Sequence, residues 1–583
     1  NKSFACNGGD QFYSSFYSIT AAGGSNTYAF ALGAQVFDRS GATLTWMYGA
    51  YRAAGAGAAQ AAALSHPAAY PFAVDAVEVH QTHISMVFLA GDYAYKVKKP
   101  VQLGFLDFST LERRKHFCEE EVRLNRRLAP QVYLGVVPVT RQDGGLRLAG
   151  VGPVVEWAVQ MRRLPRQATL ESRLADDGAA PLPWDALAQK LARFHAGAAA
   201  DAHVAALGRF EVVAGNLREN FTQTASHVGV TVHLPVFERV RQLTETTLAA
   251  QRPLIEARAA RGVPRDTHGD LHLDHVYWFP DRPAPDDWAI IDCIEFNERF
   301  RYADPWSDVA FLAMDLAFHG RRDLAQVFTE AYVRASGDAE GRALLPLYTS
   351  YRAVIRAKVE GMELAEKEIP GDERAAARAR ARAHWLLALG ELEEPSRRPG
   401  LVLVAGLPGA GKSTLAQALA QAAHFEVLRS DVIRKELAGL APTASGRAAY
   451  GTGIYSAAWT EQTYHEIEKR AAALLAEGRR VLVDASFRND VRRRRFFELA
   501  QCLGVPALML ECRADPAAVR QRLQQRRGDA SDADWAIYEL AAREWEAPSL
   551  PVKRHHRVLD TTASSALGPA QAALQESGIL APP

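Results

Sequence analysis

The residues with the clearest capacity for chemistry are Lys412 and Ser413, near the end of the run GLPGAGKST. The run has the spacing G-x-x-x-x-G-K-[ST], in which backbone N–H groups turn inward around the phosphates of a nucleoside triphosphate. In such a loop the lysine reaches the β- and γ-phosphates, and the next hydroxyl holds Mg²⁺. The sequence therefore predicts a site for ATP and Mg²⁺ formed by Gly406, Gly409, Ala410, Gly411, Lys412, Ser413 and Thr414.

Two neighbouring elements are needed to position this loop. The apolar residues LVLV from Leu401 precede it and are typical of a buried strand, and the segment LAQALAQAA after it favours a helix. The N-terminal end of that helix adds positive potential where the phosphates would lie. A glycine-rich turn that matches by chance would need neither neighbour, so the context favours a nucleotide site.

Three side chains after later strands suit a phosphate acceptor. LRSDVIRKEL places Asp431 and Arg434 one helical turn apart, and VLVDASF places Asp484 after an apolar run. Ligands of parallel sheets bind at the carboxyl ends of the strands. We therefore predict Asp431 as general base, Arg434 as substrate clamp and Asp484 as the group that orients the Mg²⁺ water shell or the acceptor. The alternative for each acid is a helix cap.

A basic helix follows in DPAAVRQRLQQRRGDASDAD. Arg522 and Arg526 lie one turn apart in it, and we predict that they close over the transferring phosphoryl group, where a guanidinium neutralises developing charge. A solvated amphipathic helix is the alternative. The order of phosphate loop, SDVIR, VDASF and arginine helix resembles small P-loop kinases, including zeta-toxin-like and polynucleotide-kinase-like members, over residues 399–562.

A second constellation lies earlier in the chain. HGDLHLDH, from His268, is followed by IDCIEFN, which puts Asp270 on a loop and Asp292 at a strand end. We expect Asp270 to take a proton from a substrate hydroxyl and Asp292 to hold Mg²⁺. Upstream, Lys96 on a strand and Glu121 on the next helix suit an ion pair that holds the ATP phosphates, with Lys98 as the competing lysine.

These segments resemble the aminoglycoside phosphotransferase family, which has a protein-kinase-like fold, over residues 75–363. The resemblance implies that Asp270 is the catalytic base and that Asp292 binds metal. It also implies that Asp308 in DPWSDVA braces the catalytic loop. The backbone near Gln160 and Met161, in VVEWAVQMRRL, would meet adenine on the same basis.

One position departs from the family pattern. The family has Asn as a second metal ligand where this chain has His275. A neutral imidazole is a poorer Mg²⁺ ligand than an amide oxygen. We nevertheless assign His275 to the metal site, with Asp274 beside it as a substitute ligand. The departure leaves open a kinase fold that binds ATP without transferring phosphate.

Length and charge set broad limits. A chain of 583 residues is expected to form about three to four domains. A net charge of +1 gives no reason to expect nucleic acid as a partner. The five cysteines have no pair spacing, which fits a reducing cytoplasm. No apolar run approaches the roughly 20 residues that span a bilayer, so no membrane partner is expected.

We predict an α+β, protein-kinase-like N-terminal module followed by an α/β P-loop kinase domain with a parallel sheet. The expected domains are residues 66–365 and 399–583, with a helical linker at 366–398 and an unassigned, poorly ordered segment at 1–65. The order of the modules resembles bacterial bifunctional aminoglycoside phosphotransferase/ATP-binding proteins, also called AAA family ATPases. The arginine fingers and long Walker B acid pair of AAA machines are not seen in the sequence.

The predicted function is ATP-dependent transfer of the γ-phosphoryl group to hydroxyls of small-molecule acceptors. Arg352, Arg356 and Lys358 would favour an anionic acceptor if they line the cleft. One alternative is an ATP-binding regulator with an inactive kinase-like module and a P-loop switch. Another is a nucleic-acid 5′-hydroxyl kinase, which the near-neutral charge disfavours.

Overall fold

The structure of the protein is a computed structural model that describes residues 3–5, 11–19, 28–37, 43–45, 56–82, 84–142, 144–175, 181–364, 371–441, 452–525, 531–562 and 566–580. By its contacts the chain divides into two compact units. The first consists of Asn1–Val204 and Pro264–Asp304, and the second of Ala205–Val263 and Pro305–Pro583. This division differs from the domain boundaries that the sequence predicts, because part of the kinase-like helical region groups with the P-loop region. The predicted boundaries themselves stay a prediction.

The first 65 residues, expected to be poorly ordered, contain regular elements among their described residues. Four strands pair antiparallel in the order β1-β2-β3-β4, and a helix follows them. They are β1 (Ser3–Ala5), β2 (Gln11–Ile19), β3 (Tyr28–Phe37), β4 (Thr43–Thr45) and α1 (Ala56–Leu64).

An antiparallel sheet then begins the kinase-like module, in the order β11-β10-β12-β7-β6-β5. Its strands and neighbouring elements are β5 (Val77–Gln81), β6 (Ser85–Ala90), β7 (Tyr93–Lys98), β8 (Gln102–Leu103), β9 (Leu106–Asp107), α2 (Leu111–Asn125), β10 (Tyr133–Gln142), β11 (Gly145–Leu148) and β12 (Val154–Arg162). The strand predicted to carry Lys96 is β7, and the helix predicted to carry Glu121 is α2.

The two faces of this sheet alternate with the period of two that a pleated strand imposes. Tyr95 and Val97 of β7 join a core on one face, while Ala94 packs on the other face with Cys118 of α2. Lys96 and Lys98 share the face of Ala94, so both lysines point toward α2. The strand pattern thereby places two cations beside Glu121.

Helices and short strands complete the kinase-like region. They are α3 (Leu170–Ala175), α4 (Trp184–Gly197), α5 (Ala202–Leu207), α6 (Phe210–Thr224), α7 (Leu234–Ala260), β13 (Arg265–Asp266), β14 (Val276–Trp278), β15 (Trp288–Ile290), α8 (Glu298–Arg301), β16 (Tyr302–Ala303), α9 (Trp306–Phe318), α10 (Arg322–Ser336), α11 (Leu345–Glu363) and α12 (Gly371–Leu392). The pairs β14-β15 and β13-β16 flank the segments that carry the predicted catalytic acids.

Helix α12 lies in the region 366–398 that the sequence predicts as a helical linker, and the later half of this helix is buried. Residues 383–390 of α12 are buried, including Trp385 and Leu387 at 0% exposure. They share a hydrophobic core with Leu401 and Leu403 of the next strand. The apolar half of α12 therefore joins the helices of the second unit to its P-loop sheet.

The C-terminal sheet is parallel, in the order β18-β19-β17-β20-β21, as predicted. Its elements are β17 (Gly400–Gly406), α13 (Lys412–Ala423), β18 (Glu426–Arg429), α14 (Ser430–Leu437), α15 (Ala457–Ala476), β19 (Arg480–Asp484), α16 (Asp490–Cys502), β20 (Ala507–Arg513), α17 (Pro516–Gln525), α18 (Trp535–Arg543), α19 (Leu550–Arg554), β21 (His556–Asp560) and α20 (Leu567–Glu576). Separate cores cover its two faces, with Leu403 in one and Val402 in the other. Among the described helices, none combines the length and apolar character that crossing a membrane requires.

Candidate active sites

The centre of the first site is Glu121, whose two carboxylate oxygens each face one lysine. Oε1 lies 3.0 Å from Lys96 Nζ, and Oε2 lies 2.7 Å from Lys98 Nζ. Glu121 is fully buried, and a buried carboxylate needs such partners to remain charged. Both lysines that the sequence proposed for this ion pair therefore contact the same acid.

The two lysines differ in what else they contact. The side chain of Lys98 is 1% exposed and donates a second hydrogen bond to the buried Glu295. The side chain of Lys96 is 12% exposed, and its ammonium lies 2.5 Å from Asp292 Oδ1. Lys96 is thus the lysine that links the helix acid to the predicted metal ligand, whereas Lys98 neutralises a buried pair of glutamates.

Asp292 sits in an unusual backbone conformation with φ at 64°. This left-handed region is rarely adopted by non-glycine residues and persists only where neighbours hold it. The Asp292 N–H donates to the Tyr133 hydroxyl at 3.1 Å, and the next N–H donates to Asn125 Oδ1 at 2.9 Å. Burial opposes ionisation, but Lys96 and His275 hold the pKa of the Asp292 carboxyl below its usual value.

The loop with Asp270 is fixed by its own histidine. His268 is fully buried, and its Nε2 donates to the Ile291 carbonyl at 2.9 Å while its Nδ1 accepts from the Asp270 N–H at 3.2 Å. The backbone N–H of Ile294 donates back to the His268 carbonyl at 3.1 Å. These bonds tie the loop of Asp270 to the segment of Asp292, so the two predicted acids are brought together.

His275 lies between those acids. Its Nδ1 donates to the Asp270 backbone carbonyl at 2.9 Å, and its Nε2 lies 3.6 Å from Asp292 Oδ2. The ring of His272 packs against it with centroids 3.8 Å apart. Asp270, His272 and His275 each offer a ligand atom within 4.8 Å of the others. Asp274, the suggested substitute ligand, is exposed.

The predicted adenine contacts lie inside the sheet. Gln160 and Met161 belong to β12, which pairs with β10 on one side and β7 on the other. The Gln160 side chain donates to the Tyr95 hydroxyl at 3.1 Å. An adenine role for these two residues stays a prediction.

In the second site, the phosphate loop joins β17 to α13 as the sequence predicts. Gly406 has φ at 142°, and a Cβ at this position would lie 2.5 Å from the Cys512 carbonyl oxygen. Gly411 has φ at 87° and caps the N-terminus of α13. Only glycine meets both the conformation and the space at Gly406. The Thr561 hydroxyl donates to the Ala410 carbonyl at 2.6 Å and holds the loop from behind.

The loop brings the predicted Mg²⁺ ligands into contact. Ser413 Oγ donates to Asp484 Oδ2 at 2.6 Å, and Arg429 Nε lies 3.4 Å from the same oxygen. Burial raises the pKa of Asp484, against the opposing effect of Lys412. Lys412 Nζ donates to the Leu407 carbonyl at 2.9 Å. A hydroxyl and a carboxylate are the hard oxygen donors that Mg²⁺ prefers, so these residues fit that ion.

Asp431 and Arg434 lie on α14, one turn apart as predicted. Asp431 is half-buried in the first turn. Arg434 is 7% exposed and donates to the Ile454 carbonyl at 2.8 Å and to Thr460 Oγ1 at 3.2 Å. Arg434 thus contacts both the first turn of α15 and the segment before it, and its role as a substrate clamp stays a prediction.

Of the two predicted lid arginines, Arg522 can be placed and Arg526 lies outside the described residues. Arg522 donates to the Thr561 and Thr562 carbonyls at 2.7 and 3.0 Å. In this arrangement its guanidinium ties α17 to the end of β21.

Two of the three cations expected to favour an anionic acceptor make hydrogen bonds within the helical region. Arg352 is buried and donates to Ser307 Oγ at 2.9 Å, while Lys358 donates to Asn220 Oδ1 at 2.7 Å. These bonds fix helices of the second unit to one another, which removes the argument for an anionic acceptor from these two residues.

Sequence reasoning missed several residues that shape the sites. Glu295 stands in the recognised IDCIEF run, and its spacing from Asp292 is the signal that could have marked it. Tyr133 and Asn125 support Asp292 from β10 and α2, and no local pattern distinguishes them from core residues. Asp532 accepts from the Tyr455 hydroxyl at 2.7 Å and lies 3.5 Å from the buried Lys435 ammonium.

The fold and the two sites define a chain with two kinase-like modules. Residues 103–348 match the Phosphotransferase enzyme family, and residues 401–548 match the AAA domain family. The chain belongs to the bacterial family in which a phosphotransferase module of the aminoglycoside phosphotransferase type precedes a P-loop module.

Two members of this family are uncharacterized proteins of Mycobacterium tuberculosis and Mycobacterium bovis. Each is 34% identical over 469 residues, which cover 80% of this chain and 90% of the relative. The kinase families of both modules support a phosphotransferase.

Solved structures similar to the chain include kinases. A putative kinase from Chloroflexus aurantiacus is 22% identical, with a TM-score of 0.26, over 31% of this chain and 98% of that one. A choline/ethanolamine kinase family protein from Mesorhizobium loti is 15% identical, with a TM-score of 0.34, over 58% and 98% of the two chains.

Proposed function

We propose that the protein is an ATP-dependent kinase with two nucleotide sites, each transferring the γ-phosphoryl group of ATP to a hydroxyl of a small-molecule acceptor. The observation that carries the proposal is the position of Lys96, which lies 3.0 Å from Glu121 and 2.5 Å from Asp292. A lysine held between a helix carboxylate and a metal-binding carboxylate is the arrangement that positions ATP in the kinase fold. The matches to phosphotransferase and P-loop families support it.

In the N-terminal site, Asp270 is the proposed base. As the acceptor oxygen bonds to the γ-phosphorus, the bond from that phosphorus to the β–γ bridging oxygen breaks and ADP leaves. The hydroxyl proton passes to the Asp270 carboxylate. The hydrogen bond from His268 to the Ile291 carbonyl holds the loop that carries Asp270 in place. The Lys96 ammonium neutralises negative charge on the ATP phosphates. Its ion pair with Glu121 holds the ammonium in that position.

In the C-terminal site, Lys412 exchanges its bond to the Leu407 carbonyl for the β- and γ-phosphates. Asp431 accepts the proton of the acceptor hydroxyl. Ser413 and Asp484 would hold Mg²⁺, which supplies neutralisation of phosphate charge when bound.

Small molecules are the proposed acceptors, and nucleic acid is not, because a net charge of +1 gives no reason to expect a polyanion as partner. The cysteines without pair spacing support a cytoplasmic site of action.

The test is a screen of a metabolite extract with γ-labelled ATP on the wild type, Lys412→Ala and Asp270→Asn. Each variant is expected to lose a different labelled product, by about 10²- to 10⁴-fold for the base variant. Asp281→Asn, an exposed acid in the same unit, is the control and should keep every product. Calorimetry should count two nucleotides per wild-type chain. A single nucleotide, or identical product loss in both variants, would contradict two separate active sites.

A further inference from the structure

The ring of His275 is held in one tautomer. Its Nδ1 lies 2.9 Å from the backbone carbonyl oxygen of Asp270, and a carbonyl oxygen can only accept a hydrogen bond. Nδ1 therefore carries a proton, and in the neutral ring the lone pair resides on Nε2. Metal-ligating histidines almost always donate their other ring N–H in this way, which fixes the orientation of the ring.

The lone pair of Nε2 faces the predicted metal acid. Nε2 lies 3.6 Å from Asp292 Oδ2, and the other oxygen of that carboxylate is occupied by Lys96 at 2.5 Å. Two adjacent ligand atoms, each about 2.1 Å from one ion, lie roughly 3 Å apart. A shift of about half an ångström would therefore bring His275 Nε2 and Asp292 Oδ2 to the separation of two ligands of one cation.

Neighbouring residues keep the ring in this place. The His272 ring packs against it with centroids 3.8 Å apart, and the side chain of His275 is 16% exposed. Asp292 has a left-handed backbone conformation, and its N–H donates to the Tyr133 hydroxyl. Its Oδ2 faces Nε2 of His275. The nitrogen ligand is thus set by contacts on both sides.

This pair does not fit Mg²⁺, the ion that the kinase fold implies. Mg²⁺ takes oxygen ligands, whereas an imidazole nitrogen suits divalent ions of the first transition series. We propose that the N-terminal site holds such an ion, Mn²⁺ or Co²⁺ in class, on His275 Nε2 and Asp292 Oδ2, in preference to Mg²⁺. The inference rests on the proposed kinase function of this site and specifies its metal.

Mn²⁺ is the probe that tests it, because the ion is paramagnetic and reports its ligands. The background variant is Lys412→Ala, which silences the P-loop site so that one nucleotide site remains. Pulsed electron paramagnetic resonance of Mn²⁺ with ADP should show coupling to an imidazole ¹⁴N nucleus. Adding His275→Asn should abolish the coupling, and the control variant His116→Asn, at an exposed histidine of the same unit, should retain it.

A competition titration gives the second readout. His275→Asn restores an amide oxygen, so the ratio of Mn²⁺ to Mg²⁺ affinity should fall by on the order of tenfold. Circular dichroism and thermal unfolding check that each variant is folded.

The possible results distinguish failure of the metal inference from failure of the proposed kinase function. If nucleotide and Mn²⁺ bind without nitrogen coupling, or if the affinity ratio is unchanged in His275→Asn, the metal inference is wrong while the kinase proposal stands. If nucleotide binds and Mn²⁺ does not, the metal inference is likewise wrong. If the Lys412→Ala background binds no nucleotide at all, the proposed N-terminal site fails, and the inference fails with it.

Discussion

Ser413 donates a 2.6 Å hydrogen bond to Asp484, so the hydroxyl of the phosphate loop and the acid of the neighbouring strand already meet. Asp484 is 3% exposed, and its burial raises the pKa of the carboxyl. Parallel pairing of β17 with β19 sets this contact, because it brings Val404 opposite Asp484 at the carboxyl edge of the sheet. The contact defines where the cation of the C-terminal site would bind.

Asp484→Asn is expected to disable this site with little effect on the fold. The amide keeps the size of the side chain and can still bond to Ser413, but it lacks the charge that Mg²⁺ requires. Transfer of label to the product that depends on Lys412 should fall by on the order of 10²-fold or more. Rates measured over a series of Mg²⁺ concentrations provide the check. An unchanged rate at low Mg²⁺ would mean that Asp484 does not serve the metal.

Lys98→Met should mainly lower the free energy of unfolding, whereas Lys96→Met should mainly weaken ATP binding. Lys98→Met leaves Glu121 and Glu295 buried with less compensation, which costs about 3–5 kcal/mol of the free energy of unfolding. Lys96→Met leaves Glu121 paired with Lys98 and should mainly weaken ATP binding.

Urea unfolding and calorimetry measure the two effects. Both are made in the Lys412→Ala background, so that only the N-terminal nucleotide site is counted. Equal loss of ATP affinity in two equally stable variants would contradict the separate roles of the lysines.

Short motifs carried most of what could be predicted. The phosphate loop, HGDLHLDH and IDCIEF each need fixed residue types at fixed spacing, so the sequence alone locates the residues from Gly406 to Thr414 and the pair Asp270 and Asp292. The strand that carries Lys96 and the helix that carries Glu121 are likewise predicted from the sequence. These features are local, and local patterns are what a single sequence contains.

Features that depend on distant contacts could not be predicted. Arg434 has the spacing of a substrate clamp, yet its partners Ile454 and Thr460 lie in another segment of the chain. From the sequence alone, the apolar run in α12 is compatible with a charged helical connector. Its burial becomes evident only from its contacts with the parallel sheet. In both cases the deciding information is the tertiary neighbour.

Asp338 is expected to make the stability of the second unit depend on pH. It accepts from Arg258 at 2.6 and 2.9 Å and from the Trp306 indole N–H at 3.1 Å. Burial opposes the charge, but Arg258 and the Gly341 N–H hold the pKa of Asp338 below its usual value. Because the folded pKa is depressed, the stabilisation is present above the usual Asp pKa and is lost as pH falls through the folded value.

Asp338→Asn should remove that dependence and cost about 2 kcal/mol at neutral pH, since Arg258 is left with a weaker acceptor. Urea unfolding of both proteins from neutral to acidic pH measures it. Curves that stay parallel down to low pH would show that Asp338 does not titrate with folding.

Helix α12 is expected to stabilise the second unit through its buried face. Trp385 is fully buried in a core that also contains Leu401 of β17, whereas Arg378 on the same helix is exposed. Trp385→Ala should therefore cost about 3–5 kcal/mol in the free energy of unfolding, because it leaves a large cavity, and Arg378→Ala should change it by less than about 0.5 kcal/mol. A chain that begins at residue 399 loses the same apolar cover and should aggregate or unfold unless α12 is restored. Equal stability of the two variants, with a well-folded chain from residue 399, would show that α12 is only a connector.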